Sequence, residues 1–464
     1  MDIKLSFHGA ARNVTGSCYL LQVSGMNLMI DCGLYQEHDL KARNWERFPI
    51  SPRKVDAVIL THAHLDHCGR LPRLVRDGFD GPIYCTSATA EIAKIVMEDC
   101  GRINEEDAEF KRQRHEREGR KGPFREEPLY TEEDAENVAE HFSCWDNHRP
   151  LQLGNGIEVE FIEVGHILGA SAVRVTITQG NETRRIVFSG DIGRWNMPLL
   201  RDPEKVGEAD YLLVESTYGN RDHEETASIP EELAEIVNRT SDAGGNLIIP
   251  SFAIERTQEL LYFLAQLTKD NKIPRLRIFV DSPMASKVSE IFARYPMLLD
   301  TDTIRLARRY RMSNVTLVKS AAESKTINHI RGTVIVIAGS GMCTGGRIKH
   351  HLAKNIDRPE CTVLFVGYQA NNTLGRIILD GAKEVRILGE SYPVEAKIER
   401  ISGFSAHADR NELMRWLDSV KTTPRKVFVT HGESDAADAL CQRIITEKGW
   451  DAIVPEYQQS VELD

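Results

Sequence analysis

Short apolar runs recur along the chain, and a residue capable of chemistry follows each one. Leu28-Met29-Ile30 precedes Asp31, and Val55-Asp56-Ala57-Val58-Ile59-Leu60 leads into Thr61-His62. Ile186-Val187-Phe188 leads to Asp191, Leu212-Leu213-Val214 to Glu215, and Val427-Phe428-Val429 to Thr430-His431. Runs of this length, closed by polar turns, predict buried β-strands. The same order repeated so often predicts one rim of a sheet that gathers ligand-type side chains at its strand tips.

The middle of the chain has another rhythm. Leu247-Ile248-Ile249, Ile278-Phe279-Val280, Val334-Ile335-Val336-Ile337 and Val363-Leu364-Phe365-Val366 alternate with helical segments. In the first of these segments Leu260, Leu264 and Leu267 fall at i, i+4 and i+7, one apolar stripe that reads as core. Strand–helix alternation predicts a parallel sheet covered on both faces. With no low-complexity linker and no repeat, the middle block reads as a domain inserted into the first one.

Composition narrows the class. The chain has 464 residues, 41% hydrophobic and 27% charged, enough for two or three domains with a large core. Its net charge of −11 excludes a global positive field, so a nucleic-acid site has to be a local basic cleft. Lys111 to Lys121 is densely charged and leads into Gly122-Pro123. It reads first as a solvated helix end and loop, and second as a guide for an anionic polymer. The nine cysteines form no C-x-x-C pair, which suggests a reducing compartment and a cytoplasmic location. The N-terminal residues lack the pattern of a signal peptide, and no apolar run is long enough to span a membrane.

The most informative stretch is His62-Ala63-His64-Leu65-Asp66-His67. Imidazole suits zinc, and three protein ligands with one open position make a hydrolytic site. Four ligand-type groups this close are too many for one such ion, whereas two adjacent ions use them all. His62, His64 and His166 are expected to hold one zinc, Asp66, His67 and His431 a second, with Asp191 bridging. Such a pair sits about 3.5–4 Å apart, the spacing used for in-line displacement at phosphorus. Asp31 is expected behind the ligands, fixing an imidazole tautomer.

Asp31, the HAHLDH block, His166 in Gly165-His166-Ile167-Leu168-Gly169 and Asp191 in Ser189-Gly190-Asp191-Ile192-Gly193 together resemble the metallo-β-lactamase superfamily. Three further motifs are similar to motifs A, B and C of its β-CASP group of nucleic-acid-processing enzymes. They are Glu215 in Val214-Glu215-Ser216-Thr217, His407 in Ser405-Ala406-His407-Ala408-Asp409, and His431 in Thr430-His431-Gly432. Pro250-Ser251-Phe252-Ala253, Gly339-Ser340-Gly341-Met342 and Gly367-Tyr368-Gln369-Ala370 resemble that group's inserted domain. The resemblance covers essentially the whole chain. It implies an α/β fold: an αββα sandwich made by residues 1–218 and 391–464, with a β-CASP domain over 219–390.

The resemblance also implies an activity, zinc-dependent hydrolysis of RNA phosphodiester bonds, by endonucleolytic or 5′-exonucleolytic cutting or both. A histidine at motif C, His431, is typical of members acting on RNA. His407 is then the general acid, Glu215 the residue that keeps it protonated, and Asp66 both a ligand and a catalytic residue. Ser251, Arg256, Ser340, Gly341 and Ser405 are candidates for substrate contacts, Ser340 and Gly341 because a glycine-rich turn after a strand offers N–H groups to phosphate. The expected partner is single-stranded RNA. A homodimer is compatible with the sequence, and protein partners are left open. The rival readings are a DNA nuclease of the same group, a non-catalytic RNA-binding scaffold and a small-molecule hydrolase.

Overall fold

The apolar runs form strands because their aliphatic side chains find cover on both faces. In the first unit these are β1 (Ile3–Phe7), β2 (Tyr19–Val23), β3 (Met26–Ile30), β4 (Ala57–Ile59), β5 (Ile83–Cys85), β6 (Phe142–Cys144), β7 (Leu151–Gly154), β8 (Ile157–Glu163), β9 (Ser171–Gln179), β10 (Glu182–Phe188) and β11 (Tyr211–Glu215). The second unit supplies β12 (Leu247–Pro250), β13 (Arg277–Asp281), β14 (Val315–Leu317), β15 (Val334–Ala338), β16 (Thr362–Phe365), β17 (Glu384–Ile387), β18 (Glu390–Pro393) and β19 (Lys397–Arg400). The chain then returns to the first unit with β20 (Lys426–Thr430), β21 (Ala452–Ile453) and β22 (Ser460–Leu463). This computed structural model describes residues 1–119, 126–223, 229–309, 313–367, 369–370 and 372–464. Arg120 to Gly122 and Pro123, at the end of the charged segment, and Tyr368 lie outside the described residues.

The first unit comprises Met1–Trp195, Asp202–Asp222 and His407–Asp464. It holds two seven-stranded sheets, ordered β22-β1-β2-β3-β4-β5-β6 and β21-β20-β11-β10-β9-β8-β7. Phe7, Leu21, Leu28, Ile30 and Ile59 from one sheet meet Phe161, Val173, Val175, Phe188 and Phe428 from the other in a single core. The Phe7 and Phe428 rings stand 5.1 Å apart between centroids. Burying each such side chain contributes about 1.5–3 kcal/mol, which gives the polar rim a rigid base. The alternate residues Met29, Val58, Leu212 and Val427 point the other way and are equally buried. Buried Leu74, Ile92, Met97, Trp416 and Leu440 come from the unit's helices. The result is an αββα sandwich. The helix Ser87–Glu118 runs well into the charged segment, and its far half is exposed.

The second unit comprises Asn196–Arg201 and His223–Ala406. Its main sheet is ordered β14-β13-β15-β12-β16-β19, parallel throughout. Leu260, Leu264 and Leu267 of the helix Arg256–Lys269 are buried in its core. Residues 391–406, grouped by sequence with the closing segment, belong to this unit because β19 pairs with β16. No helix among the described residues is long and apolar enough to cross a membrane.

Candidate metal centre and active site

Strand register brings the tips together. β3 and β4 run in parallel with Ile30 beside Ile59, so Asp31 and Thr61-His62 emerge next to one another. β10, β11 and β20 are also parallel, with Phe188 beside Leu213 and Glu215 beside Thr430. Asp31 (φ +59°) and His431 (φ +50°) then turn out of their strands in the left-handed region. Two close approaches lock the loops together. A Cβ on Gly33 would lie 1.7 Å from the Asp66 carbonyl oxygen, and one on Gly193 would lie 2.2 Å from that of Gly165. Glycine therefore lets the Asp31 loop rest on the HAHLDH turn and the Asp191 loop rest beside His166.

All seven candidate ligands meet at this rim, in two groups that share the neighbourhood of Asp191. His64 Nδ1 lies 3.2 Å from His62 Nε2 and 3.1 Å from His166 Nε2. Asp191 Oδ2 lies 3.4 Å from His62 Nε2 and 3.5 Å from His166 Nε2. On the other side, Asp191 Oδ1 lies 3.2 Å from His67 Nε2 and 3.4 Å from His431 Nε2, and Asp66 Oδ2 is 3.9 Å from His431 Nε2. Four donors about 2.0–2.1 Å from a tetrahedral zinc are spaced about 3.3 Å apart, so the donor set fits that ion. Neither oxygen of the buried Asp191, nor His431 Nε2, makes a hydrogen bond. A buried carboxylate ringed by nitrogens and bonded to none suits a cation better than a core. Burial also holds His62 and His166 well below the usual imidazole range and His64 at about 4, which keeps them neutral as ligation requires.

A layer behind the donors aims them. Asp31 Oδ2 accepts from His67 Nδ1 at 2.7 Å, which turns His67 Nε2 toward Asp191. Thr61 holds Asp31 through its backbone N–H and its hydroxyl, both at 2.8 Å. Ser17 Oγ stands behind the other ring, 3.1 Å from His431 Nδ1. Sequence reasoning passed over Ser17 and Thr61. Thr61 had a signal, its place between a strand and the first histidine, whereas Ser17 lies in a loop with no pattern.

His407 lies beside this cluster, with Nδ1 3.2 Å from Glu215 Oε1 and 3.9 Å from Asp191 Oδ2. Burial alone would lower its pKa. The Glu215 charge and hydrogen bond, with help from Asp191 and Asp66, instead raise it to about 9. Nδ1 is turned to the Glu215 carboxylate, a pairing that favours the protonated ring.

Comparison with known proteins fits this geometry. Residues 11–207 match the family model described as metallo-beta-lactamase superfamily, 257–378 the Beta-Casp domain, and 391–455 the Zn-dependent metallo-hydrolase RNA specificity domain. Ribonuclease TTHA0252 of Thermus thermophilus is 37% identical over 98% of this chain and 98% of its own length. The chain belongs to the β-CASP group of the metallo-β-lactamase superfamily. Other relatives include transcription termination factor FttA of Methanocaldococcus jannaschii, 31% identical over 94% of this chain and 69% of the factor. The RNase J-like protein of the same organism is 29% identical over 93% of each. A crystal structure of a protein of unknown function from Enterococcus faecalis shares the fold, with a TM-score of 0.56 at 13% identity and full coverage of both chains. The donor set and these matches make the chain a metal-dependent hydrolase.

The five candidate substrate contacts all lie in the second unit. The Ser251 hydroxyl is buried and bonded to Thr257 Oγ1 (3.1 Å) and the Phe252 carbonyl (3.1 Å). Arg256 is buried, paired with Glu259 and set 5.3 Å from the Phe404 ring. Both support the loop after β12. Ser340, half-buried, meets Thr344 Oγ1 at 3.2 Å in the loop after β15, and Gly341 follows it. Ser405 stands half-buried, its N–H donated to the Gly403 carbonyl at 2.9 Å.

Proposed function

We propose that this chain is a zinc-dependent ribonuclease that hydrolyses single-stranded RNA. The observation that carries the reading is the unbonded Asp191 carboxylate between two sets of imidazoles, with His407 Nδ1 3.9 Å from it and 3.2 Å from Glu215 Oε1. His62, His64 and His166 would hold one zinc and Asp66, His67 and His431 a second, with Asp191 touching both. When bound, the pair neutralises phosphate charge and brings the pKa of water near 7. The remaining roles fall to side chains. Glu215 keeps His407 protonated and oriented. His407 gives its Nε2 proton to the leaving oxygen, a step that contributes about 10²–10⁴ in rate. Asp31 holds the tautomer of His67, and Ser17 steadies the His431 ring. Ser340, Gly341 and Ser405 contact the phosphate backbone, and Ser251 and Arg256 shape the loop beside them. The free state of all nine cysteines supports a reducing, cytoplasmic setting.

The test is incubation of zinc-loaded protein with one RNA labelled separately at each end, beside a DNA strand of the same sequence. Cleavage of RNA in preference to DNA is expected. The two labels separate internal cutting from stepwise loss at the 5′ end. Preferential cleavage of the DNA strand would overturn the assignment to RNA.

A further inference from the structure

Among the described residues, Phe110 and Phe252 are the exposed phenylalanines. Phe110 lies on the charged far half of its helix, whereas Phe252 is 41% exposed on a built floor. It follows β12 directly, at the carboxyl end of the parallel sheet, where open α/β sheets take their ligands. One edge of its ring rests over Gly341 and Gly367, which follow β15 and β16, the two neighbours of β12. A Cβ on Gly341 would come within 2.8 Å of Cδ2 and Cε2 of the ring, so a side chain at that position would displace the ring. The buried amide of Gln369 donates to the carbonyls of Gly341 (2.9 Å) and Gly367 (3.3 Å), tying the two loops together beneath the ring. The Phe252 carbonyl accepts from the hydroxyls of Ser251 (3.1 Å) and Thr257 (2.7 Å), which fixes the backbone. The ring is thus held in place while much of it faces water.

We propose that Phe252 is a base-stacking platform, on which a nucleobase of the RNA strand packs against the part of the ring turned away from Gly341 and Gly367. The proposal rests on the ribonuclease reading and adds a base subsite to it. Every base has a π-face, so such a platform grips a strand without reading its sequence.

The experiment measures cleavage of an RNA oligonucleotide, and of a series in which one position at a time is abasic, by the zinc-loaded wild type, Phe252→Ala, Phe252→Trp and Gly341→Ala. Phe252→Ala is expected to raise KM about 5- to 150-fold, the range of one lost base–aromatic stack. Phe252→Trp keeps KM near wild type, which separates a stacking loss from a folding loss. Gly341→Ala, whose methyl group displaces the ring, follows Phe252→Ala. At one abasic position the wild type loses affinity while Phe252→Ala loses no more. An unchanged KM in Phe252→Ala, a Trp variant as impaired as Ala, or additive losses at every abasic position would overturn the platform alone. A wild type that leaves RNA intact would overturn the ribonuclease reading, and the platform with it.

Discussion

Oε1 of Glu215 accepts the backbone N–H of Ile192 at 2.7 Å and lies 3.2 Å from Nδ1 of His407. The carboxylate is fully buried, so its charge acts on the imidazole with little screening. Glu215→Gln keeps the shape and removes the charge that raises His407. A general acid works only below its pKa, so lowering that pKa moves the alkaline fall of kcat/KM to lower pH. A pH–rate profile of the variant checks this, and an alkaline limb at the wild-type position would detach Glu215 from His407.

His407 and His431 should separate by metal content. His407→Ala is expected to keep its zinc and lose about 10²–10⁴ in cleavage rate, the range for a general acid. His431→Ala should lose zinc along with activity. A substrate with a better leaving group needs less protonation and partly rescues the first variant only. Elemental analysis with leaving-group kinetics makes the comparison, and matching profiles for the two variants would refute the division of roles.

Asp191 faces both ligand groups, so its loss should disturb both. Purified wild type is expected to carry close to two zinc equivalents per chain, and Asp191→Ala well below one. A fully active protein with one equivalent would rule out the paired centre.

Asp281 anchors the second unit. Fully buried at the end of β13, it accepts from Ser324 Oγ at 2.5 Å and from Arg347 Nη1 and His351 Nε2 at 2.6 Å. Burial pushes its pKa up, but His351, Ser324 and Arg347 outweigh that and lower it. Its stabilisation is complete above the unfolded carboxylate value of about 4 and is lost as pH falls through the lower folded value. Asp281→Ala should cost about 3 kcal/mol at pH 7, the low end for breaking a buried pair because Arg347 keeps some water contact. Urea titrations at pH 7 and pH 3 should show the gap to wild type closing at the lower pH. A constant gap would mean that the carboxylate charge contributes nothing.

The rim was legible because each ligand follows an apolar run almost directly, and the run that buries the strand also fixes where its tip emerges. Long-range partners left a weaker trace. Ser17 reaches His431 only through the fold, and its neighbours show no period. β19, Lys397-Ile398-Glu399-Arg400, reads as polar because it is an edge strand held by backbone pairing to β16, so the break after 390 missed it. The far half of the helix Ser87–Glu118 shows no apolar stripe for a related reason: it is exposed, and exposed residues need no periodicity.

The order of the strands has a temporal consequence. β20 lies between β11 and β21, β22 lies against β1, and the His431 N–H is donated to the Ala10 carbonyl at 2.8 Å. A chain still emerging from the ribosome has made the HAHLDH turn long before it has made His407 or His431. Until those residues join the rim, Asp66 and His67 lack His431 as a neighbour and Glu215 lacks His407, so the ligand set is complete only in the fully folded unit.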